Sequence, residues 1–335
     1  MFEKSNLFLK AYKKNSKKYA LVWFILLLGF FAPFLANAYT GVTIVMNVQS
    51  PANLEFVDQF NAELAKSKQV NLRVNVITLQ DAEKLVVAEN SELVIALGLK
   101  ALEAASKLKH STPVLGVFTP LPTFNSVMVK SRRDLGDFSA IVLDQPFTRQ
   151  MTLIKQVLPA IRKVGVILGP TSSQYAEYVR EEGEAIGLNV LEETVNQEAD
   201  LIPKLKKLLD ASDAIMAIPD PAIYSRETAQ PILLTSYRYQ KPIFGYSLSY
   251  VRSGAIAAVY STSKQLAKQA AEIAIKSRQA PSELPPPQMP KYFSITLNYQ
   301  VARSLNISLM DEDEILKKML ESDAKGATEN EESRH

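Results

Sequence analysis

The chain has no cysteine, and its 335 residues include only two histidines and one tryptophan. The missing cysteine excludes disulfides, a thiol nucleophile, a thiolate metal site and a lipid-modified cysteine after a signal. His110 and His335 do not supply a Ser-His-Asp set or a His-rich metal pattern, and neither a G-x-S-x-G elbow nor a Walker-type phosphate loop is present. These absences weigh against an enzyme and indicate no cofactor.

Positive charge is concentrated at the start of the chain. Six of the 38 basic and one of the 35 acidic residues lie in residues 1–18, which leaves 32 basic and 34 acidic side chains elsewhere. That balance does not support a nucleic-acid surface. An apolar block at residues 20–34 and the small-x-small site Ala36-Asn37-Ala38 follow the basic segment, and this order predicts a signal peptide over residues 1–38. The alternative is an uncleaved inner-membrane anchor; in either case the remainder is exported to the periplasm.

Short apolar runs alternate with amphipathic stretches along the rest of the chain. Runs at residues 42–46, 93–97 and 113–118 have the length and composition of buried strands, and helical periodicity separates them. A second series of the same kind begins after Asp144-Gln145-Pro146. Regular strand–helix units of this kind predict parallel sheets flanked by helices. The fold class is therefore α/β, with two similar lobes joined by a multi-strand hinge.

The boundaries follow from this pattern. Residues 39–143 form lobe 1, to which residues 263–285 return, and residues 144–262 form lobe 2, to which residues 290–320 return. Five prolines between residues 281 and 290 predict an extended connector. Two weakly patterned segments are expected to be irregular. They are a solvated loop at residues 123–136, with Lys130, Arg132 and Arg133, and a disordered acidic tail at residues 321–335.

Loops that leave the carboxyl ends of parallel strands line the ligand crevice in sheets of this type. The candidate ligand-binding residues in those loops are Asn47, Gln49, Leu99, Lys100 and Thr119 from lobe 1, and Thr171, Ser172, Ser173, Tyr175, Asp220, Tyr224, Ser225 and Tyr246 from lobe 2. Asp220 would neutralise a ligand amine, and the tyrosines could stack on a planar ligand. The simpler interpretations are a stiff Pro-Asp-Pro turn, ordinary half-buried tyrosines, and helix caps at Ser225 and at residues 171–173.

Several segments carry a family resemblance, among them SELVIALGLKALEAA (residues 91–105), DAIMAIPDPAIYSRETAQPILL (residues 213–234) and KYFSITLNYQVARSLNISL (residues 291–309). Over about residues 41–320 the chain resembles a substrate-binding protein of an ABC transporter. More narrowly, it is similar to the family related to bacterial tryptophan- and tyrosine-binding lipoproteins, which has the type I periplasmic-binding fold. Members generally carry hydroxyl residues after the glycine matched by Gly98. This chain has Leu99-Lys100-Ala101 there, so Lys100 is either a cationic partner for a ligand or an exposed first-turn lysine.

The resemblance implies a monomeric periplasmic component that closes on a small organic ligand, amino-acid-like or aromatic, and presents it to an ABC permease in the inner membrane. A second hypothesis is a sensory or adaptor protein of the same fold, whose partner is a sensor kinase or an outer-membrane receptor. A third is a periplasmic hydrolase in which Asp144 and Asp220 share the cleft.

Overall fold

The computed structural model describes residues 41–67, 72–80, 88–279 and 283–332, with side chains to residue 324. The predicted signal peptide at residues 1–38 lies outside these ranges. Within them, no helix combines the length and the apolar character that crossing a membrane requires.

The described residues form two sheets, and most of their strands are short apolar runs. The strands are β1 (Gly41–Met46), β2 (Arg73–Thr78), β3 (Leu93–Leu97), β4 (Val114–Thr119), β5 (Phe138–Val142), β6 (Lys163–Leu168), β7 (Asn189–Thr194), β8 (Ala214–Met216), β9 (Ile243–Gly245), β10 (Ala257–Tyr260) and β11 (Ser294–Leu297). Every residue of β1, β3 and β5 is buried, as expected for strands covered on both faces.

Helices connect the strands and cover both sheets. They are α1 (Pro51–Lys66), α2 (Leu99–Ala105), α3 (Leu121–Ser131), α4 (Phe147–Val157), α5 (Ala176–Ala185), α6 (Leu201–Ala211), α7 (Arg226–Arg238), α8 (Leu248–Arg252), α9 (Ser263–Gln279), α10 (Tyr299–Ser304) and α11 (Glu312–Glu332). Local chemistry sets several ends. Ser50 caps α1 by accepting a hydrogen bond from the Asn53 N–H, and Pro51 occupies its first turn. Gly187 has a φ of 71°, the left-handed geometry expected where a helix has ended.

The two sheets share one strand order. The first runs β2-β1-β3-β4-β5, and the second runs β7-β6-β8-β9-β10 with β11 added at the far edge. Neighbouring strands are parallel except that β11 is antiparallel to β10. The α/β fold with two similar lobes is confirmed. Because the connections reverse direction at β1/β3 and at β6/β8, each sheet has a crevice at its carboxyl edge.

The late helix α9 completes the first lobe. Its apolar face, with Leu266, Ala267 and Ala270, belongs to the same buried cluster as Phe56 and Phe60 of α1. The described part of the proline-rich connector, residues 283–290, then runs beside β5. There the Gln288 N–H donates to the Ala140 carbonyl, and the Val142 N–H donates to the Gln288 carbonyl. The connector is thus extended, as its prolines predict.

Residues 123–136 are not a solvated loop. Most of that segment belongs to α3, and the Arg133 side chain is buried. Its guanidinium donates to five backbone carbonyls, those of Leu108, Lys109, His110, Thr112 and Asp137. The sequence prediction failed because a cation next to other cations is typical of a solvated surface, whereas here carbonyls distant in sequence satisfy the buried charge.

The expected disordered tail is also corrected. Helix α11 continues to Glu332, past the predicted boundary at Glu321. The Glu-, Lys- and Ala-containing segment has good intrinsic helix propensity, which its lack of an apolar stripe obscured. A salt bridge at 2.8 Å from Asp323 to Arg149 of α4 also fixes the extension to lobe 2.

Candidate ligand-binding cleft

A cavity of about 270 Å³ lies between the carboxyl edges of the two sheets. The first sheet contributes the residues that follow β4 and β5, and the second contributes those that follow β6, β8, β9 and β10. Its described lining is Pro120, Leu121, Leu143, Asp144, Gln145, Phe147, Gln150, Tyr175, Tyr178, Ile218, Pro219, Tyr246, Ser247, Leu248, Tyr260, Ser261 and Met289. A concave, mostly apolar site with a few polar groups has the character of a small-molecule pocket.

Aromatic rings form one wall of the cavity. Phe147, at the start of α4, lies between two tyrosines, with ring centroids 5.8 Å from Tyr175 and 5.6 Å from Tyr178. Both tyrosines follow β6, in the turn that enters α5 and on the helix itself. Burial raises the pKa of each phenol, so both are neutral donors and acceptors at physiological pH. This wall offers a planar or apolar solute a broad contact surface.

Asp144 is the charged residue of the lining. It follows Leu143 in the first crossing between the sheets, just after β5, and its Oδ2 accepts a hydrogen bond of 2.7 Å from the Leu121 N–H at the start of α3. Burial raises the pKa of the carboxyl, and the Asp144 charge in turn raises the pKa of Tyr175. Among the described residues, no basic side chain forms a salt bridge with it.

Polar groups next to Asp144 link the three segments that cross between the lobes: the one after β5, the one between β10 and α9, and the one between the proline-rich connector and β11. Gln145 donates to the Ser261 hydroxyl at 2.9 Å, and Ser261 donates to the Tyr292 carbonyl. Arg149 donates to the Gln145 amide oxygen and to the Pro290 carbonyl, and it stacks 4.1 Å from the centroid of the Phe293 ring. The guanidinium is therefore fully engaged by the hinge and by α11 rather than by the cavity.

Gln150 is a buried side chain of the lining with unused hydrogen-bonding capacity. Its Nε2 makes a long hydrogen bond of 3.4 Å to the Gln145 carbonyl, while its Oε1 has no donor. Exchanging the two amide atoms would place oxygen against oxygen, so the free group is the acceptor. A ligand with an N–H or O–H group would satisfy it.

The residues predicted from lobe 1 lie at the carboxyl edge of the first sheet but do not line this cavity. Gln49, Leu99 and Lys100 are exposed, and Asn47 is half-buried. Thr119 is buried, and its hydroxyl has no partner among the described residues. The structure thus places all five on the expected edge without bringing them together with the aromatic wall.

Asp220, the predicted anchor for a ligand amine, is used inside its own lobe. Its carboxylate accepts hydrogen bonds from the Thr171, Ser172 and Ala222 N–H groups and from the Ser172 hydroxyl, at 2.8–3.0 Å. The carboxylate is packed against Gly169, where an added Cβ would lie 2.6 Å from Oδ2. Asp220 therefore fastens the turn after β6 to the turn after β8.

The other predicted residues of lobe 2 divide between the cavity and the fold. Tyr175 and Tyr246 line the cavity. Ser225 is the cap of α7, accepting from the Glu227 and Thr228 N–H groups. Ser172 is tied to Asp220, and the hydroxyl of the exposed Ser173 makes a long 3.5 Å contact with a backbone carbonyl in the same turn.

Tyr224 supports the cavity from behind. Its ring meets Tyr246 and Tyr250 edge-on, at centroid distances of 6.0 Å and 5.8 Å, and Tyr246 stacks on Tyr250 at 5.5 Å. Burial raises the pKa of the Tyr224 phenol, whose hydroxyl has no partner among the described residues.

Sequence reasoning missed Phe147, Gln150 and Tyr178 as lining residues. Phe147 and Gln150 follow Pro146, where the sequence predicts a crossing between lobes and then a helix. Tyr178 lies on α5, beyond residues 171–175, from which the candidates after β6 were drawn. The useful signal was proximity to a predicted crossing, since each crossing borders the cleft. No group of acidic or histidine side chains in the described ranges is arranged to hold a metal ion.

Comparison with known proteins agrees with this architecture. A family model described as ABC transporter substrate binding protein matches residues 44–322. No curated protein matches the chain by sequence.

Three solved structures have the same fold at low identity. A ligand-free, open substrate-binding protein with adhesive properties from Clostridium difficile is 16% identical, with a TM-score of 0.64 over 81% of this chain and 96% of that one. An ABC domain in complex with L-Trp from Streptococcus pneumoniae is 17% identical, with a TM-score of 0.54 over 83% and 97% of the two chains. A conserved domain protein from Vibrio cholerae is 19% identical, with a TM-score of 0.54 over 84% and 98%.

Proposed function

Because the chain belongs to the family of ABC transporter substrate-binding proteins, we propose that it binds a small organic solute in the cavity between its two sheets and delivers it to an ABC permease in the inner membrane. The observation that carries this proposal is the cavity itself, whose walls come from both lobes and from the crossings. The family match favours transport over the sensory or adaptor role.

We propose that the two lobes move relative to each other as the ligand binds. Lobe 1 comprises residues 39–143 and 263–285, and lobe 2 comprises residues 144–262 and 290–320. Ligand closure in two-lobed proteins turns on a few residues in the crossings. The crossings here share the Ser261–Gln145–Arg149 network, in which Gln145 bonds to both of the other residues and borders the cavity. A bound solute would therefore contact the hinge as well as both walls.

The role is binding without turnover. A hydrolase would need Asp144 and Asp220 to act on one substrate. The Asp220 carboxylate is instead surrounded by hydrogen-bond donors from the turns that follow β6 and β8. The predicted ligand-binding residues Asn47, Gln49, Leu99, Lys100 and Thr119 would join the site only on a larger ligand or after closure. We propose Tyr175 and Tyr246 as direct contacts.

Thermal unfolding of the purified protein against a library of organic solutes tests binding. A cavity ligand should raise Tm, and Tyr178→Ala should reduce the shift because the ring borders the cavity. Tyr237→Ala is the matched control, since Tyr237 is similarly exposed, at 46% against 42%, but lies on α7. Ligand-stripped protein that responds to no solute would contradict the proposal.

Location and partner need separate tests. We propose a periplasmic monomer processed after Ala38. Mass spectrometry of the protein from a periplasmic fraction should give Tyr39 as the first residue, whereas a retained leader would support the anchor.

Processing would also remove Trp23, the one tryptophan, so indole fluorescence in a binding assay would come from the ligand. Crosslinking in cells should capture a permease; capture of a kinase or receptor would instead support sensing.

A further inference from the structure

Two polar side chains of the cavity lining have unused capacity to accept hydrogen bonds. The Asp144 carboxylate accepts hydrogen bonds from the Leu121 N–H and from its own backbone N–H, which leaves part of its acceptor capacity open. Gln150, 6% exposed, has an amide oxygen with no donor. Both side chains line the same cavity, so a ligand seated there meets two unsatisfied acceptors.

The charges of the lining point the same way. The described lining contains one carboxylate and no lysine, arginine or histidine. The buried cation Arg149, which contacts the lining residue Gln145, donates its hydrogen bonds to Asp323, Gln145 and Pro290. Lys100, the cation expected from the sequence, is exposed and lies outside the lining. A ligand carboxylate would therefore find no basic side chain here.

The aromatic wall also favours a positive charge. A cation close to the face of a tyrosine or phenylalanine is attracted by the ring quadrupole, and the attraction strengthens when water is excluded. Phe147, Tyr175 and Tyr178 form a contiguous set of rings. Tyr175 lies near enough to Asp144 to respond to its charge, so carboxylate and rings act on the same part of the cavity.

We propose that the solute is an organic cation, an ammonium compound whose N–H groups are bound by Asp144 and Gln150 and whose apolar part packs on the rings of Phe147, Tyr175 and Tyr178. This inference rests on the proposed binding function and names its ligand class. Net positive charge distinguishes the ligand from a zwitterionic amino acid and from a carboxylate.

One feature competes with this assignment. The first turn of α4 begins at Phe147 beside the cavity, and a helix N-terminus attracts anions. The equivalent end of α3 is already neutralised by Asp144. The experiment must therefore compare charge types on a constant skeleton.

Isothermal titration calorimetry with three probes of one skeleton makes that comparison: tyramine, L-tyrosine and 3-(4-hydroxyphenyl)propionate. The matched series 2-phenylethylamine, L-phenylalanine and 3-phenylpropionate repeats it without the phenol. In each series the amine should bind at least tenfold more tightly than the acid, and more tightly than the amino acid. Tighter binding of the amino acid or the acid in both series would overturn the assignment while leaving solute binding intact. If no probe or library solute binds, the proposed function fails with it.

Variants identify the groups responsible. Asp144→Asn keeps an acceptor for the Leu121 N–H but removes the charge, and it should weaken amine binding at least tenfold. Gln150→Met should weaken it severalfold, and Asp58→Asn, an exposed carboxylate on α1, should leave it unchanged. Amine affinity of the unsubstituted protein should also fall as acid protonates Asp144. Unchanged amine affinity in Asp144→Asn, with the variant folded, would refute the assignment.

Discussion

Asp144 and Asp220 occupy comparable places on the two lobes, because each follows a strand at the carboxyl edge of its sheet. They differ in what surrounds them. Four donors from its own lobe engage Asp220, whereas one N–H from another described residue engages Asp144. The difference shows that a position at the carboxyl edge of the sheet does not by itself make a carboxylate available to a ligand. The number of donors that the chain itself supplies decides between a structural and a binding role.

Asp220→Ala should cause the largest loss of stability among the substitutions that compare the two carboxylates. The buried N–H and hydroxyl of Ser172 would lose their acceptor, so we expect the free energy of unfolding to fall by about 3 kcal/mol or more. Denaturant unfolding followed by circular dichroism measures it. Asp58→Ala, on the exposed surface of α1, is the control and should stay within about 0.5 kcal/mol. A loss below about 1 kcal/mol would show that Asp220 is free for a ligand after all.

Gly169→Ala tests the same contact from the opposite side. A Cβ at this position would lie 2.6 Å from Asp220 Oδ2, so the turn must shift, and we expect a loss of roughly 2 kcal/mol. In the Asp220→Ala background, Gly169→Ala should lower the free energy of unfolding by clearly less than it does in the unsubstituted protein, because the clashing carboxylate is absent. Strictly additive losses in the double variant would place the strain elsewhere.

Serine substitutions sharpen the contrast between the turns that follow β1 and β6. Ser172→Ala leaves the buried Gly169 N–H without its acceptor and removes one Asp220 contact, which should cost about 2 kcal/mol. Ser50→Ala removes the α1 cap at a half-buried site and should cost about 1 kcal/mol or less. Equal losses, measured by the same unfolding assay, would remove the proposed distinction between the two turns.

Asp144→Asn should have the smallest effect on stability, and it should stabilise the protein at neutral pH, whereas the substitutions above destabilise it. Burial raises the pKa of Asp144 in the folded protein, so ionisation opposes folding as pH rises from the ordinary value of 3.8 through the raised one. The full penalty applies above the folded-state pKa, and none applies well below 3.8. The variant should therefore melt above the unsubstituted protein at pH 7 and equal to it in strong acid. A lower Tm at pH 7 would mean that a favourable partner stabilises the charge.

Most of the fold could be predicted from local pattern. Runs such as residues 93–97 are short and continuously apolar, as expected for strands that helices cover on both faces, and every residue of this run is buried. The burial of Arg133 could not be predicted, because four of the carbonyls that it contacts belong to residues 108, 109, 110 and 112, beyond the reach of any local pattern.

The site was less predictable than the fold for the same reason. Asp220 receives donors from residues 171 and 172, nearly fifty positions earlier, and the sequence gives no sign of that pairing. Tyr175 and Tyr246 were named because they follow strands, and both line the cavity. The lobe 1 candidates follow strands too, but whether they reach a ligand depends on the relative placement of the sheets, which no periodicity encodes.

The return of α9 to the first lobe has a consequence for how the chain matures. All five strands of that lobe are complete by residue 142, yet the helix that covers Phe56 and Phe60 begins only at residue 263. During synthesis or export the first lobe therefore remains incomplete, and its apolar face stays exposed to water until more than a hundred further residues have emerged. Such a face is a target for chaperones and for aggregation. Premature termination before residue 263 should leave an aggregation-prone fragment rather than an independently folded lobe.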